Sequence, residues 1–162
     1  MAFKKIKSPN QMKKILGVLK RNGKKIVFTN GCFDILHVGH IRYLSKARKL
    51  GDVLIVGLNT DRSVRINKGE KRPIVCENER AEVLSALKVV DYVVFFNEPD
   101  PETLIKALKP SILVKGADWP EDKIIGGDVV KRSGGRVVRI PLVPGSSSTN
   151  LIEKIIKAYC PS

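Results

Sequence analysis

The chain is predicted to fold as a doubly wound, five-stranded parallel α/β sheet in a single domain. Three observations predict it. Short apolar runs alternate with stretches of helical spacing along the whole chain. The runs are near-continuous in apolar character, as in strands covered on both faces. Polar or glycine-bearing segments follow the strands, where such sheets bind ligands beyond their carboxyl ends.

The elements follow in order. Residues 10–21 read as an amphipathic helix with Met12, Ile15, Leu16 and Leu19 in one stripe, capped by Ser8 or Asn10 and ended by Asn22-Gly23. This basic helix, within residues 1–24, is expected to pack on the sheet domain. The first strand is 25–29. Residues 39–50 form a helix on Ile41, Leu44, Ala47 and Leu50, ended by Gly51. The second strand is 52–58. The stretch 65–73 is charged and broken by Gly69 and Pro73, and reads as a loop. A helix over 77–87 leads to a third strand at 92–96. A turn at 97–101 starts a helix through Leu108, with Pro101 in its first turn. A fourth strand covers 112–115, a short helix 126–133 and a fifth strand 136–140. Thr149-Asn150 caps a last helix through Ala158, with Leu151, Ile152, Ile155 and Ile156 on its apolar side.

Length and composition narrow the class. The 162 residues suffice for one core, and 43% apolar content excludes a disordered chain. No apolar run approaches the ~20 residues that span a bilayer. The start, Met1 to Lys7, lacks the apolar segment of a signal peptide, so a cytoplasmic protein without membrane partners is expected. Cys32, Cys76 and Cys160 are odd in number and scattered, which fits free thiols. The net charge is +14, and nine Lys/Arg precede the first acid, Asp34. That balance suits phosphate-rich ligands or polyanions, and equally a solvated lysine surface. Only 6% of residues are aromatic, so no stacking platform for nucleic acid stands out.

The chemistry concentrates after the first strand, in Gly31-Cys32-Phe33-Asp34-Ile35-Leu36-His37-Val38-Gly39-His40. Both histidines of the chain sit here, three residues apart, at the start of a helix. A helix start carries unpaired N–H groups and the positive end of the macrodipole. Imidazoles placed there donate hydrogen bonds to phosphate oxygens. The stretch therefore reads as a phosphate site, or more blandly as a strand-to-helix turn. Neither a P-loop nor a G-x-G-x-x-G pattern is present.

Together these segments resemble the nucleotidyltransferases with a His-x-Gly-His signature. The resemblance runs from Gly31–His40 through Asn59-Thr60-Asp61, Lys68-Gly69, Arg72-Pro73, Arg80, Gly116-Ala117-Asp118-Trp119 and Ser147-Ser148-Thr149-Asn150, over about residues 10 to 156. Within that superfamily the longer strings look like D-glycero-D-manno-heptose 1-phosphate adenylyltransferase in a stand-alone form, with a separate kinase supplying the substrate. The resemblance implies a Rossmann-like sheet and transfer of AMP from ATP to heptose 1-phosphate. ADP-heptose for lipopolysaccharide biosynthesis and pyrophosphate would result. Glycerol 3-phosphate cytidylyltransferase shares the signature. Phosphopantetheine adenylyltransferase fits less well, because Ile35-Leu36 stands where it carries a proline. A non-enzymatic nucleic-acid-binding domain is the remaining alternative, and nucleic acid is not an expected partner.

The resemblance also implies roles. His37, His40 and Lys68 are the catalytic candidates. Asn30, Gly31, Cys32, Phe33, Gly39, His40, Asp61, Arg80, Gly116, Asp118, Ser147, Ser148 and Thr149 would bind the nucleotide. Gly39 would let phosphates approach the helix. Ser148 stands where the family more often has threonine, and keeps the hydroxyl. Asp34, Lys68, Arg72 and Trp119 would bind the sugar phosphate. Asp34 reads either as a ligand or magnesium holder or as a turn-forming residue, and Trp119 either as a pocket wall or as packing. Magnesium is expected to arrive with ATP, without a protein-built cage, and a homodimer is expected.

Overall fold

A computed structural model describes residues 2–160, with Ala2 and Phe3 as backbone only, so Met1, Pro161 and Ser162 of the expected 1–162 domain lie outside the described residues. The sheet has six strands: β1 (Ile6–Lys7), β2 (Ile26–Gly31), β3 (Val53–Asn59), β4 (Tyr92–Phe96), β5 (Ile112–Gly116) and β6 (Arg136–Ile140). Their order is β1-β4-β3-β2-β5-β6, with every pair parallel. The sixth strand corrects the expected five. β1 has two residues, too few to show a period, and is held at the edge by pairing Ile6 with Val93 and Lys7 with Val94.

The helices are α1 (Pro9–Arg21), α2 (Val38–Arg48), α3 (Asp61–Lys68), α4 (Glu77–Ala86), α5 (Glu102–Leu108), α6 (Gly127–Arg132) and α7 (Ser148–Tyr159). They cover the sheet on both faces. Met12, Leu16, Leu104, Ile105, Leu108 and Val130 from α1, α5 and α6 pack on the face carrying Phe28, Ile55, Val94 and Leu113. Leu44, Ala47, Ala81 and Leu84 from α2 and α4 pack on the face carrying Val27, Leu54, Val56 and Val114. β3 is buried along its whole length, as its unbroken apolar run requires.

Two expectations change. Residues 65–68, read as the start of a basic loop over 65–73, belong instead to α3 (Asp61–Lys68). Thr60 caps it by accepting from Ser63 N–H, and Gly69 ends it at φ +89. Caps outweigh a weak apolar period in so short a helix. The cap of α7 lies two residues or more before the expected Thr149-Asn150, at Ser147, which accepts from Asn150 N–H at 3.0 Å.

Some N-terminal lysines have structural work. Lys5 Nζ donates to Leu87 O and Val90 O, just past α4. Lys20 Nζ donates to Leu108 O and Lys109 O, where α5 ends with Lys109 at φ 44. Both satisfy carbonyls that a helix end leaves orphaned.

The chain runs from β2 outward to β4, then crosses back to place β5 on the other side of β2. The strand order reverses between β2 and β5, so the switch point lies beyond Gly31 and Gly116.

Candidate active site

A cavity of about 770 Å³ opens at that switch point, within the range of small-ligand sites. Its wall on the α2 side holds His37, His40, Tyr43 and the start of α7. On the other side stand Asn59, Asn67, Lys68 and Arg72.

The two histidines form the start of α2. His37 is the N-cap, and its Nδ1 accepts from Gly39 N–H at 3.1 Å. His40 Nδ1 accepts from His37 N–H at 3.4 Å, completing a reciprocal capping box made of imidazoles. The rings lie 3.9 Å apart, centroid to centroid. Burial lowers the pKa of His37. Burial, and then the neighbouring His37, push His40 down to about 4. Both rings are therefore neutral at pH 7. With Nδ1 of each accepting, each proton sits on Nε2, and each ring offers one Nε2–H donor.

Two glycines shape this turn. Phe33 has φ 45 and folds its ring over Gly31, where a Cβ would meet Phe33 Cε2 at 3.0 Å. A Cβ on Gly39 would meet His37 Cε1 at 2.8 Å, Nδ1 at 2.9 Å and Ser146 Cβ at 3.2 Å. Gly39 thus makes room for the imidazole cap, a closer reason than ligand approach. Gly39→Ala is expected to displace the His37 ring and cost at least tenfold in kcat, with a change in Tm of a few degrees at most. Steady-state kinetics beside a thermal melt checks this.

The acids and arginines sort differently from their sequence reading. Asp34 is 4% exposed and lines the cavity, but its carboxylate is saturated. It accepts from Arg72 Nε at 2.6 Å, Ile74 N–H at 2.9 Å and Val75 N–H at 2.8 Å. Burial pushes this carboxyl up, but the Val75 and Ile74 N–H groups and the Arg72 guanidinium outweigh it and hold it below the usual range. Asp34 anchors the loop after α3; it has little acceptor capacity left for sugar or magnesium. Arg72 lines the cavity.

Arg80 and Asp61 do not line the cavity. Arg80 is 1% exposed and donates to Val75 O, Cys32 O and Asp61 Oδ1. With Nε, Nη1 and Nη2 all donating to the protein, it braces the loop from behind rather than lining the cavity. Asp61, the partner of Arg80, likewise lies outside the cavity lining.

The other candidates converge. Asn30, Gly31, Cys32, Phe33, Lys68, Gly116, Asp118, Trp119, Ser147, Ser148 and Thr149 all line the cavity. Lys68 is the last residue of α3, not part of a loop. Ser148 Oγ donates to Ile35 O at 3.1 Å, tying α7 to the histidine turn. A Cβ on Gly116 would collide with the Asp118 carboxylate. Burial pushes the Cys32 thiol up despite Lys68, Arg80 and Arg72 nearby, so it stays protonated.

Sequence reasoning gave no role to Lys115, Tyr43, Asn67 or, within its own motif, Asn59, which also line the cavity. Tyr43 Oη lies 2.7 Å from Thr29 Oγ1, which donates to Val114 O. Burial pushes the Lys115 ammonium down to about 8, against the pull of Asp118 and Cys32. A lysine closing an apolar strand just before a glycine was the available signal. Among the described residues no three His, Cys, Asp or Glu gather as a metal-holding group, and no helix is long and apolar enough to cross a membrane.

The chain is similar to known proteins over most of its length. Residues 28–154 match the model of the cytidylyltransferase-like family. Over 155 residues, 96% of this chain, it is 55% identical to the bifunctional protein HldE of Geobacter metallireducens, of which the match covers 32%. It is 58% identical over 137 residues to HldE of Citrifermentans bemidjiense, covering 85% of this chain and 28% of that protein. The chain thus spans about a third of the length of these curated relatives. A crystal structure of the lipopolysaccharide core biosynthesis protein from Thermoplasma volcanium matches with a TM-score of 0.65 and 37% identity, over 75% of this chain and 99% of that one. By sequence, sheet order and the histidine-headed helix at the switch point, this chain belongs to the cytidylyltransferase-like family of nucleotidyltransferases.

Proposed function

We propose that the protein transfers AMP from ATP to D-glycero-D-manno-heptose 1-phosphate, giving ADP-heptose and pyrophosphate. The observation that carries this reading is the pair of neutral imidazoles beside the start of α7, on one wall of a cavity of about 770 Å³. A phosphate oxygen of the sugar attacks the α-phosphorus. The bond from that phosphorus to the bridging oxygen breaks, and pyrophosphate leaves with the electron pair. The attacking oxygen is already anionic, so no general base is needed. The protein's task is alignment and stabilisation of charge moving toward the leaving group. The Nε2–H donors of His37 and His40 meet that charge, and the N–H groups at the start of α7 hold the remaining phosphates. Lys68 and Arg72 close the acceptor side. Magnesium would arrive with the triphosphate and supply part of the charge neutralisation; Asp34, which already accepts from Arg72, Ile74 and Val75, would not be among its holders.

A sugar acceptor is supported by the likeness to a lipopolysaccharide core biosynthesis protein. We place the reaction in the cytoplasm. The exposed Ile155, Ile156 and Tyr159 of α7, a helix with no buried residue, support a homodimer.

Pyrophosphate release tests the reading. ATP, CTP and GTP are crossed with heptose 1-phosphate, glycerol 3-phosphate and phosphopantetheine in the presence of magnesium. Turnover is expected with ATP and heptose 1-phosphate. CTP with glycerol 3-phosphate would keep the site and overturn the substrates. A folded protein silent across the grid would overturn the activity.

A further inference from the structure

The cavity has a second half that the histidine chemistry leaves unused. Its floor lies on the sheet face opposite α2. Strand alternation puts Asn30 on the face of Phe28, and Lys115 on the face of Leu113. Phe28 pairs with Leu113 at the last paired position of β2 and β5, and two residues further on along each strand Asn30 and Lys115 both line the cavity. Gly57, on the neighbouring strand, leaves the space open, since a Cβ there would meet Phe28 Cζ at 2.7 Å and Asn30 Cβ at 3.2 Å.

Neither the Asn30 oxygen nor the Lys115 ammonium has a hydrogen-bond or ion-pair partner among the described residues. Asn30 Oδ1 is a buried acceptor with no hydrogen-bond donor, the one such side-chain atom among the described residues. Buried polar atoms without partners are rare in folded proteins, and each asks for an explanation. Lys115 takes part in none of the ion pairs of the described residues. Its Nζ lies 5.9 Å from the centre of the Trp119 ring. An orphan acceptor and an unpaired ammonium, both facing one cavity, suit a ligand with a hydroxyl and an anionic oxygen close together. A phosphorylated polyol has both. Asn59 and Asn67, amides suited to further hydroxyls, line the same half.

We propose that Asn30 and Lys115 form the floor of the acceptor subsite, where the Asn30 carboxamide oxygen takes a sugar hydroxyl and the Lys115 ammonium takes the phosphate of the sugar. This rests on the proposed transfer to a sugar phosphate. It reassigns the Asn30 side chain from the nucleotide to the acceptor.

The test is calorimetric binding to the full chain and to two folded variants, Lys115→Met and Asn30→Leu. Each is titrated with heptose 1-phosphate in the presence of magnesium and a non-hydrolysable ATP analogue, and separately with the analogue alone. Both variants are expected to lose at least tenfold in acceptor affinity and to hold the analogue within twofold. Asn30→Leu is also expected to melt at or above the wild-type temperature, because it removes an unsatisfied atom. Loss of analogue affinity with acceptor binding unchanged would assign the pair to the nucleotide and overturn the proposal. Wild-type binding of both ligands by Lys115→Met would overturn it too, even if Asn30→Leu fails to fold. If wild type ignores heptose 1-phosphate, the substrate reading fails by itself. Glycerol 3-phosphate and hexose 1-phosphates then take its place in the same titrations, and a wild type that binds none of them overturns the subsite as well.

Discussion

His37→Asn is expected to lower kcat by on the order of 100-fold while α2 stays capped. Asparagine is among the best N-cap residues, so it replaces the helix-capping role of His37 and removes only the Nε2–H donor that reaches the cavity. Alanine would mix the two losses, adding about 1 kcal/mol of lost capping to the missing donor. His40→Gln makes the parallel test, keeping an amide near the His37 N–H and removing the ring. Two imidazoles stacked at 3.9 Å act as a unit, so the double variant is expected to be little worse than either single one. Measured kcat with an unchanged melt confirms a catalytic role; a melt that collapses with activity would make the pair structural.

The same pair sets a pH dependence of stability. His40 has its folded pKa pushed down to about 4 by burial and by His37, from 6.5 when unfolded. A depressed value means the fold prefers the neutral ring. Its contribution is full above pH 6.5 and is lost as pH falls from 6.5 toward 4. Protonation would place a proton on the Nδ1 that accepts from His37 N–H, breaking the cap at the same time. The melting temperature of wild type is therefore expected to fall more steeply between pH 6.5 and 4 than that of His40→Gln.

The histidine turn was legible because its signal is local. Both histidines, the bend glycine and the helix that follows lie within a dozen residues. The parallel sheet was legible because buried strands write long apolar runs, as at Val53–Asn59. β1 was not, since two residues carry no period. α3 was not, because its stability comes from Thr60 and from contacts made by Ser63 with Glu98 O and Asn67 with Pro99 O, more than thirty residues away. The same distance problem hid the true partners of the charged residues. Asp34 and Arg72 are 38 positions apart, and Arg80 and Cys32 are 48. Spacing along a chain shows which groups exist near a site, but the pairing that uses up their donors is decided by packing. Lys115 illustrates the converse, since its lack of an ion pair, with Asp118 near but not in contact, emerges only when every neighbour is in place.

Arg80→Met is expected to destabilise the protein by about 3–5 kcal/mol, the cost of removing one partner from a buried pair. At roughly 2–4 °C per kcal/mol for a chain of this size, the melting temperature should drop by about 6–20 °C. The size follows from what is stranded. Asp61 keeps a carboxylate whose cation is gone, and Cys32 O and Val75 O lose their side-chain donor. Methionine fills most of the volume, so the loss is chiefly polar. A surface arginine holding phosphate would behave in the opposite way, with the melt unchanged and ATP affinity reduced. The two accounts of Arg80 therefore separate on one thermal melt and one nucleotide titration. A double-mutant cycle with Asp61→Asn sharpens the result. If the ion pair carries the effect, the second change should cost much less in the Arg80→Met background than alone, with a coupling of about 1–3 kcal/mol. Because Arg80 grips Cys32 O, the carbonyl next to the Phe33 turn, this loss should also loosen the segment that carries Asp34 and His37. Activity would then fall in step with stability as temperature rises, and recover on cooling.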